Sequence, residues 1–165
     1  MKRLILMRHA EAGWHINIDD HDRPLSTSGI RDAKKIGLWL KEKKYIPDEV
    51  ILSTSTRTRE TFNGLLLECV PTLEKSLYLA DANHMKSMLQ KLLSNTVIFL
   101  GHNPGISELA YELIQNDEKY AHLIDFPAAS TLVIDFNVGH WSKIKSDSAK
   151  SVSYTHLTLP TKRIV

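Results

Sequence analysis

Three short apolar runs punctuate the chain: Leu4-Ile5-Leu6-Met7, Val50-Ile51-Leu52 and Val97-Ile98-Phe99-Leu100. Each is continuous and lacks a helical period. Such a run reads as a strand buried on both faces, as in a parallel sheet. Between the runs the spacing changes to that of helices. Ile30, Ala33, Gly37 and Leu40 share one helical face behind Ser26 or Thr27 as N-cap, and that helix ends near Lys44. Residues 54–69 open on hydroxyls and predict a second helix. Met85, Met88, Leu89 and Leu92 predict a third behind Asp81 as its cap. Asn103 is a good cap and Pro104 a good first helical residue, so a fourth helix runs to about Gln115. Residues 72–79 form a short extended segment. Residues 131–136 and 141–145 read as two strands joined by a turn at Asn137-Val138-Gly139. The strand–helix alternation predicts an α/β fold of three αβα layers around a mostly parallel sheet, with room for one antiparallel strand in the last pair.

Two stretches connect these elements without a period of their own. Residues 11–24 are polar and leave the first strand, so they border whatever lies at its carboxyl end. Residues 116–127, with His122, form a longer connection. Residues 151–165 have no place in the pattern. They read as a tail of non-native origin, with a final native strand as the alternative that their partial alternation allows. The domain is accordingly expected to span residues 1–150.

Composition narrows the function classes. A chain of 165 residues is long enough for one domain with a sizeable core. A net charge of +2 is too small to argue for nucleic acid or a membrane surface, and the basic residues are not interleaved with aromatics. Cys69 is the only cysteine, so no internal disulfide can form, which fits a reducing cytoplasm. The first apolar run is too short for a signal peptide and is interrupted by Arg8-His9-Ala10-Glu11. No run is long enough to span a membrane, and no Cys/His spacing suggests a metal site. A cytoplasmic protein without metal or cofactor is the expectation.

The chemistry gathers at the strand ends. Arg8-His9 follows the first run, Ser53 and then Arg57 follow the second, and Gly101-His102 follows the third. In open α/β sheets ligands bind at the carboxyl edge. If the strands are parallel, Arg8, His9, Arg57 and His102 meet there, and their charge calls for an anion such as phosphate. A neutral imidazole is a competent nucleophile toward phosphorus. Two guanidinium groups, with His102 as a third cation if protonated, can balance the oxygens of an in-line phosphoryl transfer, where other enzymes place magnesium.

Leu6-Met7-Arg8-His9-Ala10-Glu11 resembles the Arg-His-Gly/Ala signature of the histidine phosphatase (phosphoglycerate mutase-like) superfamily. Ser53-Thr54-Ser55-Thr56-Arg57-Thr58-Arg59-Glu60-Thr61 is similar to its Ser-Pro-x-x-Arg-Ala-x-Gln/Glu-Thr segment, with Thr54 in place of the proline. Gly101-His102-Asn103-Pro104 resembles its second histidine motif. Asp22-Arg23-Pro24-Leu25-Ser26-x-x-Gly29 is similar to the short SixA-type branch, whose members include protein phosphohistidine phosphatases. The resemblance covers residues 1–146 and implies a phosphoglycerate mutase-like fold. It implies that His9 is the transiently phosphorylated nucleophile, that Arg8, Arg57 and His102 form the phosphate pocket, and that Arg23 is a further phosphate or substrate contact.

The resemblance leaves the proton donor open. Asp81 and Glu74 lie in the segment where relatives acting on alkyl phosphates carry an acid. Glu11, Asp19, Asp20 and Asp22 are further candidates, though each also reads as an ordinary cap or solvated charge. Expelling an alkoxide needs a proton donor. Expelling imidazole from phosphohistidine needs less help, because its other nitrogen already carries a proton. The expected substrate is therefore a phosphohistidine-bearing signalling or phosphorelay protein. The alternatives are a small phosphorylated molecule hydrolysed as a phosphomonoester, and a catalytically silent phosphate- or phosphoprotein-binding module. A mutase would need a lid, for which the chain has few residues.

Overall fold

A computed structural model describes residues 1–116 and 125–155. Its elements, in chain order, are β1 (Lys2–Arg8), α1 (Thr27–Glu42), β2 (Glu49–Ser53), α2 (Thr56–Leu65), β3 (Thr72–Glu74), α3 (Ala82–Leu89), β4 (Thr96–Gly101), α4 (Gly105–Ile114), β5 (Thr131–Phe136) and β6 (Ala149–Thr155). They form one sheet of order β3-β2-β4-β1-β5-β6. The β1–β4, β2–β4 and β2–β3 pairs are parallel, and β5 is antiparallel to both β1 and β6.

The continuous apolar runs are explained by burial on both faces. Ile5, Met7, Val50, Leu52, Ile98 and Leu100 point to one side, against Ala33, Ile36 and Leu40 of α1 and Phe62 and Leu65 of α2. Leu4, Leu6, Ile51, Val97 and Phe99 point to the other, against Met85 and Leu89 of α3 and Ile106, Leu109 and Leu113 of α4. Alternate residues of one run thus feed two cores, and neither face can carry polar residues.

The register brings the strand ends level. Arg8 lies opposite Gly101, and Leu52 opposite Leu100. His9 and His102 therefore leave adjacent parallel strands at the same height, and the His9 N–H continues the ladder to the Gly101 carbonyl at 3.1 Å.

Several sequence expectations are corrected. Ile30 is 46% exposed, and the buried face of α1 runs through Gly29, Ala33, Ile36, Gly37 and Leu40. Helix α2 is shorter than residues 54–69: it ends at Leu65, and Leu66 turns left-handed with φ 54°. Asn103 does not cap α4. Its Nδ2 donates instead to the carbonyls of Asp125 and Phe126, at 3.1 and 3.0 Å. Residues 72–79 are only briefly extended, since β3 gives way to a 3-10 turn at Lys75–Leu77.

Residues 141–145 are not a strand. Trp141–Lys143 form a 3-10 turn, because Trp141 is wholly buried against Phe136 and donates its indole N–H to the Ser94 carbonyl at 2.6 Å. The partner of β5 is β6, so residues 151–155 belong to the sheet and the expected boundary at residue 150 falls too early. His122 and residues 156–165 lie outside the described residues. Among the described residues no helix is long and apolar enough to cross a membrane.

Candidate active site

The nucleophile candidate is held from all sides. His9 is 7% exposed, and its backbone is pinned by the Gly101 carbonyl and by the Ala129 N–H, which donates to the His9 carbonyl at 3.0 Å. Its Nδ1 lies 2.7 Å from the Ala10 carbonyl. A carbonyl only accepts, so Nδ1 carries the proton and Nε2 keeps a lone pair. Arg57 Nε donates to that Nε2 at 3.3 Å. Burial lowers the His9 pKa from 6.5 to about 4; the bond to Ala10 opposes this, and the charges of Arg57, Arg8 and Arg23 add to it. The ring is neutral at pH 7, the form that can attack phosphorus.

Arg57 lies in the first turn of α2, whose N-cap is Ser55. At 3% exposed it has no room to wander. Thr61, one turn on, donates to the Arg57 carbonyl at 2.7 Å and accepts the Ala10 N–H at 3.0 Å. Glu60 accepts the Leu25 N–H at 2.8 Å. The two residues that close the Arg57 motif thus tie α2 to the chain leaving β1 and to the start of α1.

His102 is 3% exposed, and its ring centroid lies 5.2 Å from that of His9. Its Nε2 lies 2.7 Å from Ser53 Oγ, within a buried hydroxyl cluster of Ser53, Ser55 and Thr58. Thr58 gives its proton to the backbone carbonyls of Ser53 and Ser55, which leaves its oxygen to accept from the serines. Burial lowers the His102 pKa to about 3, helped by His9, Arg57 and Arg8 and opposed by Asp20. The ring is therefore neutral at pH 7, and His102 serves as a third cation only when an arriving anion raises its proton affinity. His102 Nδ1 is buried without a partner among the described residues, and so is Arg8 Nε. Among the described residues Arg8 is otherwise held only by a 3.4 Å bond from Nη1 to the Phe126 carbonyl, and burial, with the charge of Arg57, lowers its pKa. An unpartnered buried donor, Arg8 Nε, in the pocket of the His9 lone pair suits an incoming oxyanion.

Arg23 reaches the same edge through Asp20. Its Nε lies 3.2 Å from Asp20 Oδ1, an ion pair without hydrogen-bond alignment, and its guanidinium stacks 4.3 Å from the Trp14 ring centroid. Asp20 also engages Arg57: Nη1 donates to its backbone carbonyl at 2.5 Å and Nη2 to its Oδ2 at 3.0 Å. Tyr78 donates its hydroxyl to the same Oδ2 and stands edge-on to His102 at 5.3 Å.

The proton-donor candidates separate. Glu11 is tied to Ser26 and Ser28 at the start of α1, at 2.7 and 2.8 Å, and those bonds lower its pKa. Asp81 caps α3 by accepting the His84 N–H at 2.8 Å. Glu74 ends edge strand β3, in register with Ser53. Of the loop acids only Asp20 joins the site, and its bonds to Tyr78 and Arg57 lower its pKa despite partial burial. Ser53, Tyr78 and Thr61 are site residues without an assigned role in the sequence reading. Ser53 and Thr61 open and close the Arg57 motif, whereas nothing in the sequence around Tyr78 marks it.

Comparison with known proteins identifies the family. Residues 4–90 match the sequence profile of the histidine phosphatase superfamily, branch 1. An uncharacterised protein of Mycobacterium tuberculosis is 32% identical over 155 residues, covering 90% of this chain and 98% of its own. A structure from Nakamurella multipartitia assigned by name to SixA superposes with a TM-score of 0.80 at 27% identity, over 94% of this chain and 95% of its own. The protein histidine phosphatase SixA complexed with tungstate shares the fold, with a TM-score of 0.76 at 20% identity over 92% and 95% of the two chains. The chain belongs to the histidine phosphatase superfamily, in its SixA-type branch.

Proposed function

We propose that this protein is a phosphatase that carries the phosphoryl group on His9, and that it removes phosphate from phosphohistidine in a signalling or phosphorelay protein. The observation that carries the reading is the His9 imidazole: Nδ1–H fixed on the Ala10 carbonyl, and an unprotonated Nε2 whose lone pair is held by the Arg57 Nε–H, a donor that passes to a phosphoryl oxygen when Nε2 attacks. In the first step the Nε2 lone pair attacks phosphorus and the substrate's P–N bond breaks, with the leaving imidazole retaining its other proton. In the second, water attacks phosphorus, the bond to His9 breaks, and inorganic phosphate leaves. Arg8 and Arg57 balance the equatorial oxygens, and His102 joins them when the arriving dianion raises its proton affinity. These cations supply the charge a metal would otherwise supply, so turnover is expected without one.

The carboxyl groups support the choice of substrate. Glu11 and Asp81 are committed to helix starts, and Asp20 is ion-paired. Among the described residues, a site whose Asp20 carboxylate is already ion-paired suits an imidazole leaving group better than an alkoxide. A small-molecule phosphomonoesterase is the second reading, and Glu74 opposite Ser53 is the observation in its favour. Hydrolysis of a phosphohistidine-bearing protein is compared with that of an aryl phosphate, in chelator, with wild type and His9→Ala. The proposal expects preference for phosphohistidine and no turnover by the variant. Preference for the ester, reduced by Glu74→Gln, selects the second reading.

A further inference from the structure

We propose that the Asp20 carboxylate is the pocket's resident anion: it engages Arg57 and Arg23 while the site is empty, must release them for a phosphoryl group, and so weakens the hold on oxyanions. This rests on the pocket being a phosphate site. Both carboxylate oxygens are committed, Oδ1 to Arg23 at 3.2 Å, and Oδ2 to Arg57 Nη2 at 3.0 Å and to the Tyr78 hydroxyl. A carboxylate and a phosphate seek the same guanidinium edge, and one edge cannot pair fully with both. The remaining nitrogen of Arg57, Nε, already faces the nucleophile at 3.3 Å. Attack by Nε2 uses that lone pair and frees the Nε–H for one phosphoryl oxygen, but paired donation from the guanidinium also needs Nη2, which Asp20 holds.

Asp20 is placed to give way. Its side chain is half exposed, and residues 14–20 are all exposed, so rotating it outward disrupts no core packing. The loop's base stays fixed by the Ala12–Leu25 bridge, and the neighbouring turn by His21 on Thr54 at 2.8 Å. Asp20 thus keeps the buried Arg57 and the partly buried Arg23 guanidinium groups paired and aimed between turnovers, at the expense of phosphate affinity. A phosphatase gains from that exchange, because its product is the same anion.

The sign of one substitution tests this. Inorganic phosphate is titrated calorimetrically into the full chain at pH 7.5. Asp20→Asn is expected to bind phosphate about tenfold more tightly than wild type, since a competing, repelling charge is removed, and Asp20→Ala is expected to move the same way. Asp22→Asn is the control for net charge. Asp22 is exposed and contacts His21, so this variant should stay within about twofold of wild type. In turnover, Asp20→Asn should lower KM and sharpen inhibition by phosphate. Equal or weaker phosphate binding by both Asp20 variants makes Asp20 a scaffold for Arg57 and overturns the proposal, as does equal tightening in Asp22→Asn. Wild type that binds no phosphate, or binds it unchanged after Arg57→Ala, overturns the pocket itself.

Discussion

The Nε–H of Arg57 meets the Nε2 of His9 across 3.3 Å, so a buried guanidinium is bonded to the nitrogen assigned the attack. The contact holds the lone pair in place and suppresses its protonation. When phosphorus approaches Nε2, the same guanidinium is already beside the oxygens that gain charge.

Arg57→Ala is therefore expected to lower kcat/KM by about 10²- to 10³-fold, the scale of losing one preorganised donor to a transition state. Arg57→Lys should recover little of it, because a single ammonium cannot contact the nucleophile and a phosphoryl oxygen in a fixed fork. Steady-state kinetics on whichever substrate is turned over measures both.

Ser53 acts through His102. Ser53→Ala removes the 2.7 Å contact to Nε2 and one member of the buried hydroxyl cluster. Activity should fall about tenfold, with stability reduced by about 1–2 kcal/mol for the polar groups left unpaired. Ser53→Thr, which keeps the hydroxyl, should recover part of the activity. Denaturant melts and kcat/KM together separate the two effects.

The two buried imidazoles make stability depend on pH in a definite direction. Folding lowers the pKa of His9 from 6.5 to about 4 and that of His102 to about 3. Between those values and 6.5 the unfolded chain binds more protons than the folded one. This part of the stability is complete above about pH 6.5 and is lost as pH falls, by up to about 1.4 kcal/mol per pH unit for each histidine. Urea melts at pH 7 and pH 5 should show the loss, and His9→Ala should show a shallower one.

Gly29 shows why one motif position admits no side chain. A Cβ there would lie 2.1 Å from the Glu11 carbonyl oxygen, which accepts the Ser26 N–H at 2.9 Å. Gly29→Ala is expected to cost about 2 kcal/mol or more and to lower activity, because it pushes α1 away from the chain that leaves His9. A melting temperature unchanged from wild type would show that this contact relaxes freely.

Much of this was legible in the sequence because the inner strands are buried on both faces. That condition writes itself as an unbroken apolar run, and the polar residue ending each run marks the carboxyl edge. Arg8, His9, Arg57 and His102 could be gathered on that ground alone. What stayed hidden depends on contacts distant in sequence. Trp141 looks like a strand residue until Phe136 and the Ser94 carbonyl are seen to hold it in a turn. The role of β6 depends on β5 needing a second partner. Asp20 looks like one of several solvated loop acids until the fold lays it across Arg57, Arg23 and Tyr78.

The central claim is that His9 carries the phosphoryl group. It is tested most directly by mixing the protein with a ³²P-phosphohistidine protein, quenching within milliseconds under alkaline conditions, and mapping the label by peptide. The account predicts acid-labile, alkali-stable label on the peptide containing His9, appearing before free phosphate and absent from His9→Ala. Release of phosphate at the same rate with no label on His9, or undiminished turnover by His9→Ala, would contradict it.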